Sequence, residues 1–174
     1  MQQIANLIPY LVLVSHVVLV ILLVSLITKN SLAYWIGKHA IWLAGLAVLV
    51  AVGGSLFYSE IMGFEPCVLC WWQRVFLYPL VIIFGISIWK KINTAFLYAI
   101  PLLIMSTLVS AYQSYANLGG ASILPCTAAG GACSKVYVMA FGYITIPVMS
   151  LTISLFIIML VWADYVYRRN QTPL

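Results

Sequence analysis

Residues 7–28 read LIPYLVLVSHVVLVILLVSLIT and contain no charged side chain. A helix of about 20 apolar residues is long enough to cross the hydrocarbon core of a bilayer, which is roughly 30 Å thick. No Lys or Arg precedes this stretch and no small-residue cleavage motif follows it, so it differs from a signal peptide. We therefore expect a retained membrane-spanning helix over 7–28.

Four further stretches have the same character, and each is continuously apolar rather than alternating, which argues against β-barrel strands. They cover 40–59, 72–89, 95–115 and 139–163. Across 174 residues, 65% are apolar and 6% are charged, whereas about a quarter of the residues in a soluble protein are charged. This composition excludes a soluble globular protein, a disordered chain and a nucleic-acid-binding domain. The sequence predicts one all-α integral membrane domain over 1–174 with five spans.

The positive charges predict the orientation of these spans, because Lys and Arg are enriched in cytoplasmic loops. With the N-terminus outside and the C-terminus in the cytoplasm, six cations fall on the cytoplasmic side: Lys29, Lys38, Lys90, Lys91, Arg168 and Arg169. The outer side then receives only Lys135 and Arg74. The net charge of +5 therefore reports topology and does not indicate a nucleic-acid partner.

All four cysteines fall on the outer side in this arrangement, in two close pairs. Cys67 and Cys70 form a C-x-x-C between the second and third spans, and Cys126 and Cys133 lie in the long loop 116–138. Two close pairs in an oxidising compartment favour redox chemistry. Structural disulfides and a four-cysteine zinc site remain as alternatives, although the second spacing is wide for a zinc knuckle. Trp71 stands where a haem-attachment motif requires His, so we expect no haem. Because the second spacing is wide for zinc, we favour redox cysteines over a metal site.

The residues after the C-x-x-C predict a site for an electron acceptor. Cys70 falls near the start of the third helix, where unpaired N–H groups favour a thiolate. Arg74 follows one helical turn later, a position at which an intramembrane cation usually has a function. Gln73 offers an amide and Trp71 a flat apolar surface. The sequence holds no metal-ligand, flavin or dinucleotide motif, so a lipid-soluble quinone is the simplest acceptor of two electrons and two protons.

Several segments together resemble a known family. They read GSLFYSEI at 54–61, GFEPCVLCWWQR at 63–74, YPLVII at 78–83 and FGYITIP at 141–147. These segments resemble DsbB-type thiol–quinone oxidoreductases, and they are most similar to the BdbC-like branch. The resemblance covers 40–165 and implies a four-helix transmembrane bundle there, in a bacterial cytoplasmic membrane, with the cysteines on its extracytoplasmic face. The helix 7–28 has no counterpart in this pattern.

The resemblance also implies a role for each cysteine. Cys126 and Cys133 would form a loop disulfide that a soluble thioredoxin-fold thiol oxidase of the DsbA or BdbD type attacks, with the mixed disulfide at Cys126. Cys67 would then exchange with Cys133. Cys70 would meet the quinone, either ubiquinone or menaquinone, with Arg74 beside it.

Two other functions compete with this membrane disulfide-forming oxidoreductase. A non-catalytic membrane scaffold or assembly factor would use the cysteines only for structural disulfides that link its loops. A relay that carries reducing power outward should have cysteines deep within its spans, and none occurs there.

Overall fold

A computed structural model of the chain describes residues 2–92, 94–120 and 136–171, with side chains from residue 7 onward. Within these ranges lie five helices that are long and apolar enough to cross a membrane. They are α1 (Gln2–Thr28), α2 (Ser31–Leu56), α3 (Val68–Lys90), α4 (Ala95–Asn117) and α5 (Ile146–Gln171). A π-helical turn, Phe57–Ile61, extends α2. The predicted all-α membrane class with five spans is confirmed.

The largest differences from the prediction are at the ends of two helices, α2 and α5. α2 begins at Ser31 rather than near residue 40, and the predicted fifth span, 139–163, was wrong at its start. Phe141 and Gly142 have φ values of 53° and 77°, which a continuing right-handed helix does not allow. α5 therefore starts after this turn and then continues beyond residue 163, to Gln171.

Helices α2, α3, α4 and α5 form a closed bundle in which each packs against two others, and α1 lies outside it against α5 and α2. The core contains buried side chains from all four bundle helices, among them Val48, Phe84, Leu103 and Ile157. Close approach of α2 and α5 depends on Gly37, where a Cβ atom would lie 2.6 Å from the Ala163 carbonyl oxygen. Small residues commonly allow such contacts between membrane helices.

The bundle has two chemically different ends. The C-terminal ends of α2 and α4 and the N-terminal ends of α3 and α5 meet around the Cys67–Cys70 pair. At the opposite end, Asn170 of α5 donates to the Tyr34 hydroxyl of α2 at 3.0 Å. We call these the cysteine end and the basic end. The basic end carries the six cations that the sequence assigned to one side: Lys29, Lys38, Lys90, Lys91, Arg168 and Arg169.

Candidate functional site

Cys67 and Cys70 lie together at the first turn of α3. Cys67 is the N-cap residue, and its sulfur accepts the backbone N–H of Cys70 at 3.3 Å. This is the bond that a polar N-cap side chain ordinarily makes. The two Sγ atoms are 2.8 Å apart, within hydrogen-bond distance of each other. Both sulfur atoms therefore sit at the positive end of the α3 dipole, which favours a thiolate.

A buried amide from another helix reaches both sulfur atoms. Gln113 of α4 donates through Nε2 to Cys67 Sγ at 3.0 Å and to Cys70 Sγ at 3.4 Å. Its Oε1 accepts a hydrogen bond from Gln73 Nε2 at 2.8 Å. Gln73 is 6% exposed and Gln113 is 3% exposed. Because Gln73 occupies the amide oxygen, the N–H groups of Gln113 face the sulfur pair, where they stabilise negative charge.

Arg74 is fixed one helical turn after Cys70. Its Nε donates to Ser55 Oγ at 3.1 Å, and its Nη2 donates to the Ser55 carbonyl at 3.3 Å. The guanidinium carbon also lies 5.1 Å from the centroid of the Trp71 ring, within the range of a cation–π contact. These contacts hold a cation at the cysteine end, and no carboxylate among the described residues forms an ion pair with it.

A cavity of about 330 Å³ opens beside the sulfur pair, and every helix contributes to its wall. Its size lies at the lower end of the range for small-molecule sites in proteins. Cys67, Cys70, Gln73, Arg74 and Gln113 all line it. Among the lining residues, Phe64 stacks between Tyr58 and Tyr137, with centroid distances of 5.8 Å and 4.7 Å.

Three buried polar atoms in the wall have no hydrogen-bond partner within the described part of the chain. They are the Tyr58 hydroxyl, the Thr145 hydroxyl and Asn117 Oδ1. Tyr58 is 6% exposed and Thr145 is fully buried. Unsatisfied buried polar groups are costly and rare in proteins. The three residues that carry these atoms all line the same cavity.

The sequence matches the family described as "Disulfide bond formation protein DsbB" over residues 37–163. The chain belongs to the DsbB family. It is a membrane disulfide-bond-forming oxidoreductase, and this assignment replaces the alternative of a non-catalytic scaffold.

Curated relatives of this DsbB-family protein come from several bacteria. The chain is 39% identical to probable disulfide formation protein C 1 of Bacillus anthracis over 119 residues, which is 66% of this chain and 83% of the relative. It is 37% identical to disulfide bond formation protein C of Bacillus subtilis over 132 residues, 75% of this chain and 91% of the relative. A probable disulfide formation protein of Metapseudomonas resinovorans is 35% identical over 133 residues, which is 75% of this chain and 90% of the relative. No solved structure matches the chain.

The structure brings together four of the residues that the sequence singled out in this DsbB-family chain. Cys67, Cys70, Gln73 and Arg74 line one cavity. Trp71 does not line it; the Trp71 side chain is 55% exposed and contacts the Arg74 guanidinium instead. The predicted loop pair, Cys126 and Cys133, lies outside the described residues.

Sequence reasoning missed the polar groups that other helices bring to the site. The missed residues are Ser55, Tyr58, Gln113, Asn117 and Thr145. A signal was present, because uncharged polar side chains within strongly apolar spans usually face the protein interior rather than lipid. That signal identifies interior positions but does not say which sulfur atom or cation each residue reaches.

Proposed function

We propose that this protein oxidises an extracytoplasmic dithiol partner and passes the electrons through Cys67 and Cys70 to a membrane quinone bound in the cavity. The observation that supports this most directly is the placement of the sulfur pair, Arg74 and three residues with polar atoms unsatisfied within the described part of the chain around one cavity.

The chemistry of the cavity wall fits a quinone. A quinone ring has two carbonyl oxygens that accept hydrogen bonds, and the rest of the molecule is apolar. Among the described residues, the hydroxyl groups of Tyr58 and Thr145 have no hydrogen-bond partner and can donate, and Arg74 is a cation. Much of the remaining wall is apolar, with Leu77 and Ile153 as examples. We therefore assign Arg74, Tyr58 and Thr145 as the residues that hold the ring.

The pair of cysteines undergoes a two-electron oxidation in this scheme. The bond between Cys67 Sγ and Cys70 Sγ forms, and two electrons and two protons leave the dithiol. A bound quinone supplies the acceptor for both electrons and both protons. Gln113 and the start of α3 stabilise the sulfur anion before the bond forms. The Arg74 guanidinium stabilises the negative charge that develops at the acceptor.

The electrons enter through the loop cysteines in the proposed sequence of steps. A thiolate of a soluble thioredoxin-fold thiol oxidase attacks the Cys126–Cys133 disulfide at Cys126 and forms a mixed disulfide. The second thiolate of the partner then releases the loop dithiol, as in ordinary thiol–disulfide exchange. Cys133 next attacks Cys67, which breaks the Cys67–Cys70 bond and frees Cys70. Cys126 then attacks Cys133 in this mixed disulfide, which re-forms the loop disulfide and frees Cys67. One disulfide is broken and one is formed at each exchange, so electrons balance throughout.

We assign the cysteine end to the extracytoplasmic face of a bacterial cytoplasmic membrane. Six cations lie at the basic end, and cytoplasmic loops collect Lys and Arg. Disulfides persist on the extracytoplasmic side, whereas cytosolic thiols are kept reduced.

The test is quinone reduction by purified protein supplied with a reduced thioredoxin-fold partner, followed by ultraviolet absorbance. We expect Cys70→Ser to abolish quinone reduction, because the disulfide that releases the electrons cannot form. Arg74→Ala should act mainly on quinone use, with a rise in KM of about tenfold, the size of one lost charge-assisted contact. Full quinone-dependent activity in Cys67→Ser or Cys70→Ser would contradict the mechanism.

A matched control separates the charge of Arg74 from its shape. Arg74→Lys keeps a cation but cannot reproduce the two hydrogen bonds to Ser55. If charge at the acceptor is what matters, this variant should retain more quinone affinity than Arg74→Ala. Equal loss in both variants would assign the effect to the Ser55 contacts instead.

A further inference from the structure

The helix α1 precedes the region that matches the DsbB family, which begins at residue 37, and yet one of its faces lines the cavity. Ile8, Leu11, Val12 and Ser15 belong to the cavity wall. Their spacing of three, four and seven positions from Ile8 puts them on one side of a helix. The extra helix therefore contributes an element of the site that the family match does not include.

Toward the C-terminal end of α1, the same face is buried against the bundle instead of lining the cavity. Leu19, Leu22 and Leu26 continue the stripe toward the basic end and are buried, with exposures of 8%, 3% and 1%. The helix is thus packed on the bundle at one end and separated from it by the cavity at the other. Such a gap leaves apolar wall atoms without packing partners, which disfavours it unless something fills it.

Side-chain contacts, among them the following two, hold the N-terminal half of α1 in this position. His16 Nε2 lies 3.3 Å from Thr152 Oγ1 of α5, and Thr152 itself lines the cavity. The Tyr10 ring meets Phe141 edge-on at a centroid distance of 5.3 Å. These contacts fix α1 to α5 and to the turn before it. The position of the wall is therefore set by specific side chains.

We propose that α1 forms the wall against which the isoprenoid tail of the bound quinone packs, and that Val12 and Ser15 set the affinity for that tail. The site residues with unsatisfied polar atoms belong to other segments of the chain, whereas three of the four α1 residues in the wall, Ile8, Leu11 and Val12, are aliphatic. The Ser15 hydroxyl is already satisfied, because it donates to the Val12 carbonyl at 2.6 Å. This inference rests on the proposed quinone function.

The test compares Val12→Trp with Val14→Trp in the purified full chain. Val12 lines the cavity, whereas Val14 is 59% exposed on another face of the same helix. Each variant is assayed with a decyl-tailed benzoquinone and with its tail-free parent ring. We expect Val12→Trp to raise KM for the tailed quinone about tenfold, with little change for the tail-free ring. Val14→Trp should match the wild type with both.

Other outcomes decide against the inference. An unchanged KM in Val12→Trp overturns it, and an equal rise for both quinones overturns the assignment of the tail to α1. Ser15→Phe provides a second variant that narrows the same part of the cavity, should Val12→Trp fail to fold. The rate at which a reduced partner transfers electrons to the protein, measured without quinone, should be the same in Val12→Trp and Ser15→Phe as in the wild type. If the wild type reduces neither quinone, the proposed function itself fails.

Discussion

At the scale of single residues, Gln113 is the group that contacts both sulfur atoms of the pair. Gln113→Leu keeps a side chain of similar size but removes the donor and leaves Gln73 without its acceptor. A hydrogen bond to a charged group contributes about 1.5–3 kcal/mol. We therefore expect the reduced pair to react with iodoacetamide about tenfold more slowly at fixed pH, measured in a background without Cys126 and Cys133.

Ser110→Ala is the control for this residue-scale prediction. Ser110 is also a buried polar residue of α4, but its hydroxyl donates to Ser150 at 3.1 Å. Its loss should leave the alkylation rate unchanged. An unchanged rate in Gln113→Leu would mean that the amide does not act on the sulfur atoms.

Local spacing explains which site residues the sequence could reveal. The C-x-x-C and the cation four positions after Cys70 are fixed by the geometry of one helix, so their proximity was predictable. Gln113 is 43 positions from Cys70 along the chain. Its contact exists only because α3 packs against α4 in one register, which no local pattern encodes. Trp71 shows that proximity in sequence is not sufficient either, because it follows Cys70 directly and yet does not line the cavity.

At the scale of helices, the contact between α2 and α5 depends on Gly37. A Cβ atom there would lie 2.6 Å from the Ala163 carbonyl oxygen and from Tyr167 Cβ. Gly37→Ala should therefore force the helices apart, at a cost of about 1–3 kcal/mol in the free energy of unfolding. A lower midpoint of thermal inactivation in detergent is the expected result.

Gly85→Ala is the matched control, because Gly85 lies inside α3 and a Cβ atom there meets nothing within 4 Å. Alanine favours a helix over glycine by about 1 kcal/mol, so this variant should be as stable as the wild type or slightly more stable. Equal midpoints for Gly37→Ala and Gly85→Ala would contradict the close packing of α2 on α5.

The existence of the helices was easier to predict than their ends. The bilayer requires long apolar runs, and each of the five runs became a helix. Hydropathy does not register a change of backbone direction, so the turn at Phe141 and Gly142 was included in the predicted fifth span. The π-helical turn after α2, next to Ser55, is likewise invisible to hydropathy.

At the scale of the whole molecule, the separation of the cysteine end from the basic end predicts which side of the membrane each faces. Leu118 follows α4 at the cysteine end and is 52% exposed, and Ile92 follows α3 at the basic end and is 39% exposed. In a cysteine-free background, Leu118→Cys should react with a membrane-impermeant maleimide in intact cells. Ile92→Cys should react only after the cells are permeabilised.

This pair of variants tests the orientation independently of catalysis, because neither residue lines the cavity. The positive-inside rule predicts that the basic end lies in the cytoplasm. Disulfide formation requires the other end to lie where thiols are not kept reduced. The charge distribution concerns insertion of the chain into the membrane, and disulfide formation concerns its chemistry. Both predict the same orientation. Reversed labelling would put the sulfur pair in a reducing compartment, where export of oxidising equivalents from this site is impossible.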